Sequence, residues 1–296
     1  MLKKSKTEIL TTGFLRYYSY ITEENLLHYI KTMTGFILRI IAMSTMLLDH
    51  IGWNFIDNPM LLTWLWRIAF PIYAFLIAES FFFVFKEKRR YLKYLSMLII
   101  LAIIAEPCYD LLEFWKNITT NFMESQSVII TLLLWFLWIT LTESLVPYGS
   151  KIKIKDIVVL SCTYLLIAFT NYKMWANFNM VWPLLVIAFY WYIRYARNTD
   201  KTANKQSWWK RFLTLLWIFA IYLTIYFRVR SNFWSLSQWL EQIQNYYPWI
   251  IWHVLAALIL SFSNWKLWYH EKRFKWFYVS FYPLHALIIW IIISLI

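Results

Sequence analysis

Asp49 and His50 stand side by side inside FILRIIAMSTMLLDHIGWNFI, residues 36–56, an apolar run long enough to cross a bilayer. A charge near the middle of such a run costs about 2.5–3.5 kcal/mol on insertion scales, so an ionisable residue there marks a candidate site. Histidine titrates near neutrality, which suits a general base or a transient acyl-carrying nucleophile. Asp49 is one candidate to orient His50. Neighbouring helix residues point about 100° apart, however, so Glu106 is an equal candidate. Arg67 and Glu79 fall in a second apolar run, Glu106 and Asp110 in a third, and His285 in the last. An arginine among carboxylates would neutralise their charge and hold them in fixed geometry. The competing reading is structural: Arg67 pairs with Asp49 or Glu106 to lock helices together, and His50 is a satisfied core histidine. For His285 that reading is the stronger one. Pro283 in FYVSFYPLH frees a backbone carbonyl one turn earlier, and a nearby histidine often satisfies such polarity.

The elements that would position these groups are membrane helices. Of 296 residues, 61% are hydrophobic, 22% aromatic and only 15% charged, with four glycines. Soluble domains average about 45–50% apolar and about 25% charged, so the composition specifies a polytopic membrane protein. It contains about nine apolar spans, near 36–56, 61–85, 94–114, 126–147, 157–172, 178–193, 211–228, 247–264 and 277–296. The expected fold is an all-α bundle over 36–296, with residues 1–35 as a cytoplasmic or interfacial segment. The fifth and sixth spans are short and could form a re-entrant hairpin. Apolar stripes at helical spacing around residues 10–21 and 233–243 suit helices lying in the headgroup plane. Cys108 and Cys162 lie in apolar stretches and read as inert. No cysteine, histidine and carboxylate set has metal-ligand spacing, and no cleavable leader precedes the first span.

Basic residues alternate between loops. Lys86, Lys88, Arg89, Arg90 and Lys93 crowd one loop, Lys151, Lys153 and Lys155 another, and Arg194, Arg197 and Lys201 a third. The intervening loops are poor in base. The positive-inside rule then puts the N-terminus in the cytoplasm of a multi-pass protein of the cytoplasmic membrane, and an odd span count puts the C-terminus outside. The formal net charge of +13 is topology and lipid contact, and its dispersal argues against nucleic acid.

Two stretches carry a resemblance. LRIIAMSTMLLDHIG and WRIAFPIYAFLIAESF resemble the signature region of the TraX family of integral-membrane proteins, named for pilin N-acetylases of conjugative plasmids. Asp49, His50, Ile51 and Gly52 match its first element, and Arg67, Phe70, Pro71, Phe75 and Glu79 its second. AEPCYD at 105–110 and FYVSFYPLH at 277–285 are similar to later segments of the family pattern. Trp66 stands where glycine is expected, and Ser80 replaces the glycine after Glu79. The first-helix pattern is also similar to that of acyltransferase-3-type enzymes and lysosomal heparan N-acetyltransferases. The resemblance implies an acetyltransferase that takes acetyl-CoA from the cytoplasm and acylates a hydroxyl or amine on a surface glycan, lipid or peptide acceptor. On that reading His50, Asp49, Arg67 and Glu106 carry the chemistry, while Glu79, Arg89, Arg90 and His285 attend the acyl-CoA donor. The rival from another class is a transporter or export component with a His50, Arg67 and Glu106 relay, although scarce glycine and no evident repeat weigh against it.

The charge pattern sets a test of orientation. Single cysteines in the Lys88–Arg90 loop and the Asn117–Ser125 loop should differ toward an impermeant thiol reagent, with only the second labelled in intact cells. Labelling of the basic loop from outside would reverse the assignment.

Overall fold

With so few helix-breaking residues, long apolar stretches can satisfy their backbone only by coiling into helices, since hydrocarbon offers no other hydrogen-bond partner. The computed structural model describes residues 34–56, 65–113, 127–147, 150, 153–174, 182–199, 208–231, 247–263 and 271–295. Among the described residues there are nine helices: α1 (Gly35–Phe55), α2 (Trp66–Val84), α3 (Lys88–Glu113), α4 (Val128–Leu145), α5 (Ile154–Met174), α6 (Trp182–Thr199), α7 (Trp208–Ser231), α8 (Tyr247–Ser261) and α9 (Glu271–Leu295). They coincide with the nine expected spans. Six of them, α1–α4, α7 and α9, are long and apolar enough to cross a membrane; α6 and α8 have shorter apolar cores. The stretches around 10–21 and 233–243 lie outside the described residues.

The helix α2 is the axis of the bundle. It packs against α1, α3, α4, α6 and α8, and Ile68, Phe70, Ile72, Ala74, Phe75, Ala78 and Phe81 are all buried. A helix apolar on every side belongs in the interior of a bundle. Around it, α9 lies along α3 and also touches α1, while α5 packs on α4 and turns Ile157, Val158, Leu165 and Leu166 outward. Among the described residues of the fifth and sixth spans, α6 packs on α2 and α4, and α5 packs on α4 at the periphery. Pro71, Pro107 and Pro283 lie inside α2, α3 and α9. Membrane helices tolerate such prolines where neighbouring groups re-satisfy the freed carbonyls.

Arg194 needs a correction. Its place in a basic stretch assigns it to a loop, yet it is buried in α6. Its Nη1 lies 3.2 Å from Glu143 of α4 and donates to the Tyr190 hydroxyl at 2.8 Å. Nη2 donates to the Val146 carbonyl at 2.7 Å, and Tyr190 in turn donates to Glu143. The guanidinium also stands 5.0 Å from the Trp191 ring. Each charged group of this network meets a partner, which is the condition for tolerating a buried ion pair.

Removing one member strands the other. Arg194→Met should lower the thermal stability of the detergent-solubilised protein by an amount on the order of 3–5 kcal/mol, the usual effect of breaking a buried pair. The Glu143→Leu/Arg194→Met double variant should recover much of that loss. An unchanged melting profile in the single variant would show that the pair is not structural.

Candidate active site

His50 lies near the C-terminal end of α1, and His285 lies in the middle of α9. Packing of α9 on α1 brings their rings together although 235 positions separate them in sequence. His50 Nδ1 is 2.9 Å from His285 Nε2, with ring centroids 5.0 Å apart and planes within 12°. On its other side, His285 Nδ1 is 2.9 Å from the Phe281 carbonyl. Phe281 stacks on His285 at 4.9 Å, and Tyr282 meets the ring edge-on.

These contacts fix the protons of the neutral pair. A carbonyl only accepts, so His285 Nδ1 carries the hydrogen and its Nε2 presents a lone pair. His50 Nδ1 must then be the donor, which leaves the lone pair of His50 on Nε2. The pair thus works as a histidine-for-carboxylate version of the arrangement in which a second group sets the tautomer of a base. The carbonyl engaged is Phe281's, one turn back from the histidine itself, and not the Val279 carbonyl that Pro283 leaves without its amide donor. Local polarity at the proline therefore accounts for only part of His285: its second nitrogen serves His50.

His50 lines a cavity of about 450 Å³ together with Asp49, Trp53, Asn54, Tyr73, Tyr109 and Tyr282, with Ala69, Phe70 and Leu112 as apolar wall. Its size and mixed lining are those of a small-molecule site. A narrower chamber of about 140 Å³ continues along α1 and α2 to Arg39, Ser80, Tyr94 and Tyr278. Met46, Tyr73, Val128 and Tyr282 line both and form a collar between them. Arg39 is a site residue that the motifs do not single out. Its position inside the first apolar run is the signal that could have found it, because any cation there invites explanation. It sits 5.5 Å from the Tyr278 ring.

Asp49 shares the cavity with His50, but the side chain whose bond to His50 defines its tautomer is His285. Glu106 accepts the Ser127 N–H through Oε2 at 2.9 Å. Ser127 precedes α4, so this carboxylate answers an otherwise orphaned donor and the positive end of that helix. Arg67 is not among the residues lining the cavity; its charge acts on the buried Tyr222 hydroxyl of α7. Of the expected layer, Asp49 and His50 share the cavity, Glu106 holds the Ser127 amide, and the charge of Arg67 reaches the Tyr222 hydroxyl. Glu79 is buried against the start of α1, with Oε2 3.9 Å from where a Cβ on Gly35 would stand. Arg89 and Arg90 are exposed at the turn into α3, and Arg90 pairs with Glu87 across one helical turn. His253 is enclosed by the Phe219 and Tyr222 rings, away from the pair.

The family profile described as TraX protein matches residues 34–293. The chain belongs to the TraX family. A curated relative, the probable fimbrial assembly protein FimC, serogroup H1, of Dichelobacter nodosus, is 26% identical over 165 residues. That match takes in 53% of this chain and 63% of the relative, so it spans less than two thirds of the relative's length. No solved structure matches the chain.

The tautomer assignment is directly measurable. In protein carrying ¹⁵N-labelled histidine, His50 should show a protonated Nδ1 and a bare Nε2. His285→Ala should release this constraint and shift His50 toward the Nε2–H form common in free imidazole. Identical nitrogen signatures in the two proteins would show that His285 does not set the tautomer of His50.

Proposed function

We propose that this TraX-family protein is a membrane-embedded acyltransferase. It moves an acetyl group from cytoplasmic acetyl-CoA to a hydroxyl or amine on an extracytoplasmic or membrane-embedded acceptor. The observation that carries the reading is the His50–His285 pair at the wall of a cavity large enough for two reacting groups. The relative's description as a fimbrial assembly protein favours, among glycan, lipid and peptide acceptors, a peptide that becomes part of a surface fibre.

The chemistry balances without an outside proton source. His50 Nε2 takes the proton of the acceptor hydroxyl or amine as that atom attacks the thioester carbonyl. The C–O or C–N bond forms, the carbon–sulfur bond breaks, and the departing thiolate recovers the proton from His50. While His50 is protonated, Nδ1–H still donates to His285, whose Nδ1–H donates to the Phe281 carbonyl, so the positive charge meets two aligned dipoles. Asp49 lines the same cavity. For the developing oxyanion the nearest fit is a tyrosine hydroxyl of the collar, Tyr73 above all, since it lines both chambers. Arg67, outside the cavity lining, would act by positioning a carboxylate. A pantetheine arm would approach His50 through the smaller chamber that reaches Arg39, with the exposed Arg89 and Arg90 available to coenzyme phosphates near the surface.

His50→Ala should leave folded protein in the membrane and reduce acetyl transfer by on the order of 10²–10⁴-fold, the usual general-base contribution. Transfer would be followed by mass spectrometry of cell-surface material and by radiolabel from acetyl-CoA in membranes. Wild-type rates in well-folded His50→Ala protein would overturn the mechanism, and a protein that never binds acetyl-CoA would overturn the class.

A further inference from the structure

The parallel helices α3 and α9 form a long outward-facing trough of about 780 Å³ along their seam. Its polarity is graded. Lys93, Ser96 and Ser280 lie toward one end, and Ile100, Ile104, Leu284 and Leu287 continue it as an apolar channel as far as Cys108. Lys93 and Ser96 are exposed. From Lys93 to Cys108 is about four helical turns, or about 22 Å, the length of an extended long acyl chain. Trp276 flanks the polar end at 73% exposure, and the exposed basic turn with Lys86, Lys88, Arg89 and Arg90 leads into it. A tryptophan and a lysine at one level mark the headgroup region, where the lysine stem lies on apolar surface and its ammonium reaches polar groups.

We infer that this trough is a binding site for an anionic phospholipid, with one acyl chain laid along α3 and α9 and the headgroup phosphate held by Lys93 and Ser96. Charge at one end and an uncharged channel beyond it match an amphiphile and do not match a helix of a partner protein, which would meet apolar surface along its length. A zwitterionic lipid would fill the channel equally well but would gain less from Lys93, because its own cation offsets the phosphate. The site has a consequence inside the bundle. Met97, Leu101 and Val279, which floor the trough, also wall the narrow chamber that holds Arg39. A seated chain therefore buttresses that wall from the lipid side. This inference stands apart from the acyltransferase reading and is tested without an activity assay.

The test is lipid retention by the full-length protein in nanodiscs made from equal parts phosphatidylglycerol and phosphatidylcholine, read by native mass spectrometry after extraction. Wild-type protein should retain phosphatidylglycerol preferentially. Lys93→Gln should reduce that preference about five-fold, the equivalent of about 1 kcal/mol per basic residue near the surface. Ile100→Trp, which fills the channel and leaves the charge in place, should reduce retention of both lipids. Lys88→Gln, in the basic turn outside the trough, should have less effect than Lys93→Gln. Equal retention of the two lipids by wild-type protein would overturn the site. So would an unchanged pattern in both Lys93→Gln and Ile100→Trp, or an equal loss in Lys88→Gln, which would reduce the effect to diffuse surface charge.

Discussion

A polar group inside an apolar bundle finds its partner in the protein or nowhere, because lipid tails neither donate nor accept. That constraint governs the arrangement of every helix described above. It turns several buried ionisable residues into links between two elements: Glu143 and Arg194 tie α4 to α6, Glu106 ties α3 to the start of α4, and His50 and His285 tie α1 to α9. Apolar packing around α2 provides adhesion but little registry, since one apolar groove resembles another. Polar links specify which turn of one helix faces which turn of its neighbour.

The same constraint explains how one tautomer of an imidazole can be fixed in this protein. In water an imidazole exchanges tautomers freely. Here His50 is bonded on one side to a histidine that is itself bonded to a helix carbonyl, so the choice of nitrogen is made by a chain of donors that ends in the backbone. The two cavities lie where α1, α2, α3, α4 and α9 converge. The His50 ring is thus mounted on a helix that packs both on the axis of the bundle and on α9.

Much of the fold was legible from residue type alone. Nine apolar spans of suitable length predict nine helices because hydrocarbon permits so few alternatives, and the membrane class followed from composition. Charge was more ambiguous. Arg194 follows an apolar run and precedes Arg197, so it looks like loop charge; its burial depends on Glu143, about fifty positions upstream, being one helix away. His50 was legible as a candidate, since an ionisable side chain in an apolar span has few innocent explanations. Its link to His285 was not, because no local spacing connects residues 235 positions apart. Which carboxylate Arg67 meets could not be read from its level for a related reason: equal depth in a membrane says nothing about azimuth. Two residues in one layer can face opposite sides of the bundle.

Two cavities that share a wall inside a membrane protein raise a requirement that soluble proteins never face, which is ionic insulation. A continuous wetted passage from one surface to the other would let protons and sodium run down their gradients. The collar of Met46, Tyr73, Val128 and Tyr282 is where that leak has to be stopped. Its composition suits an insulator: two apolar side chains disfavour a standing file of water, and two phenols present hydroxyl groups but no fixed charge for a permeating cation. Variants that shrink the collar side chains therefore threaten the energised membrane of the cell as well as the protein that carries them.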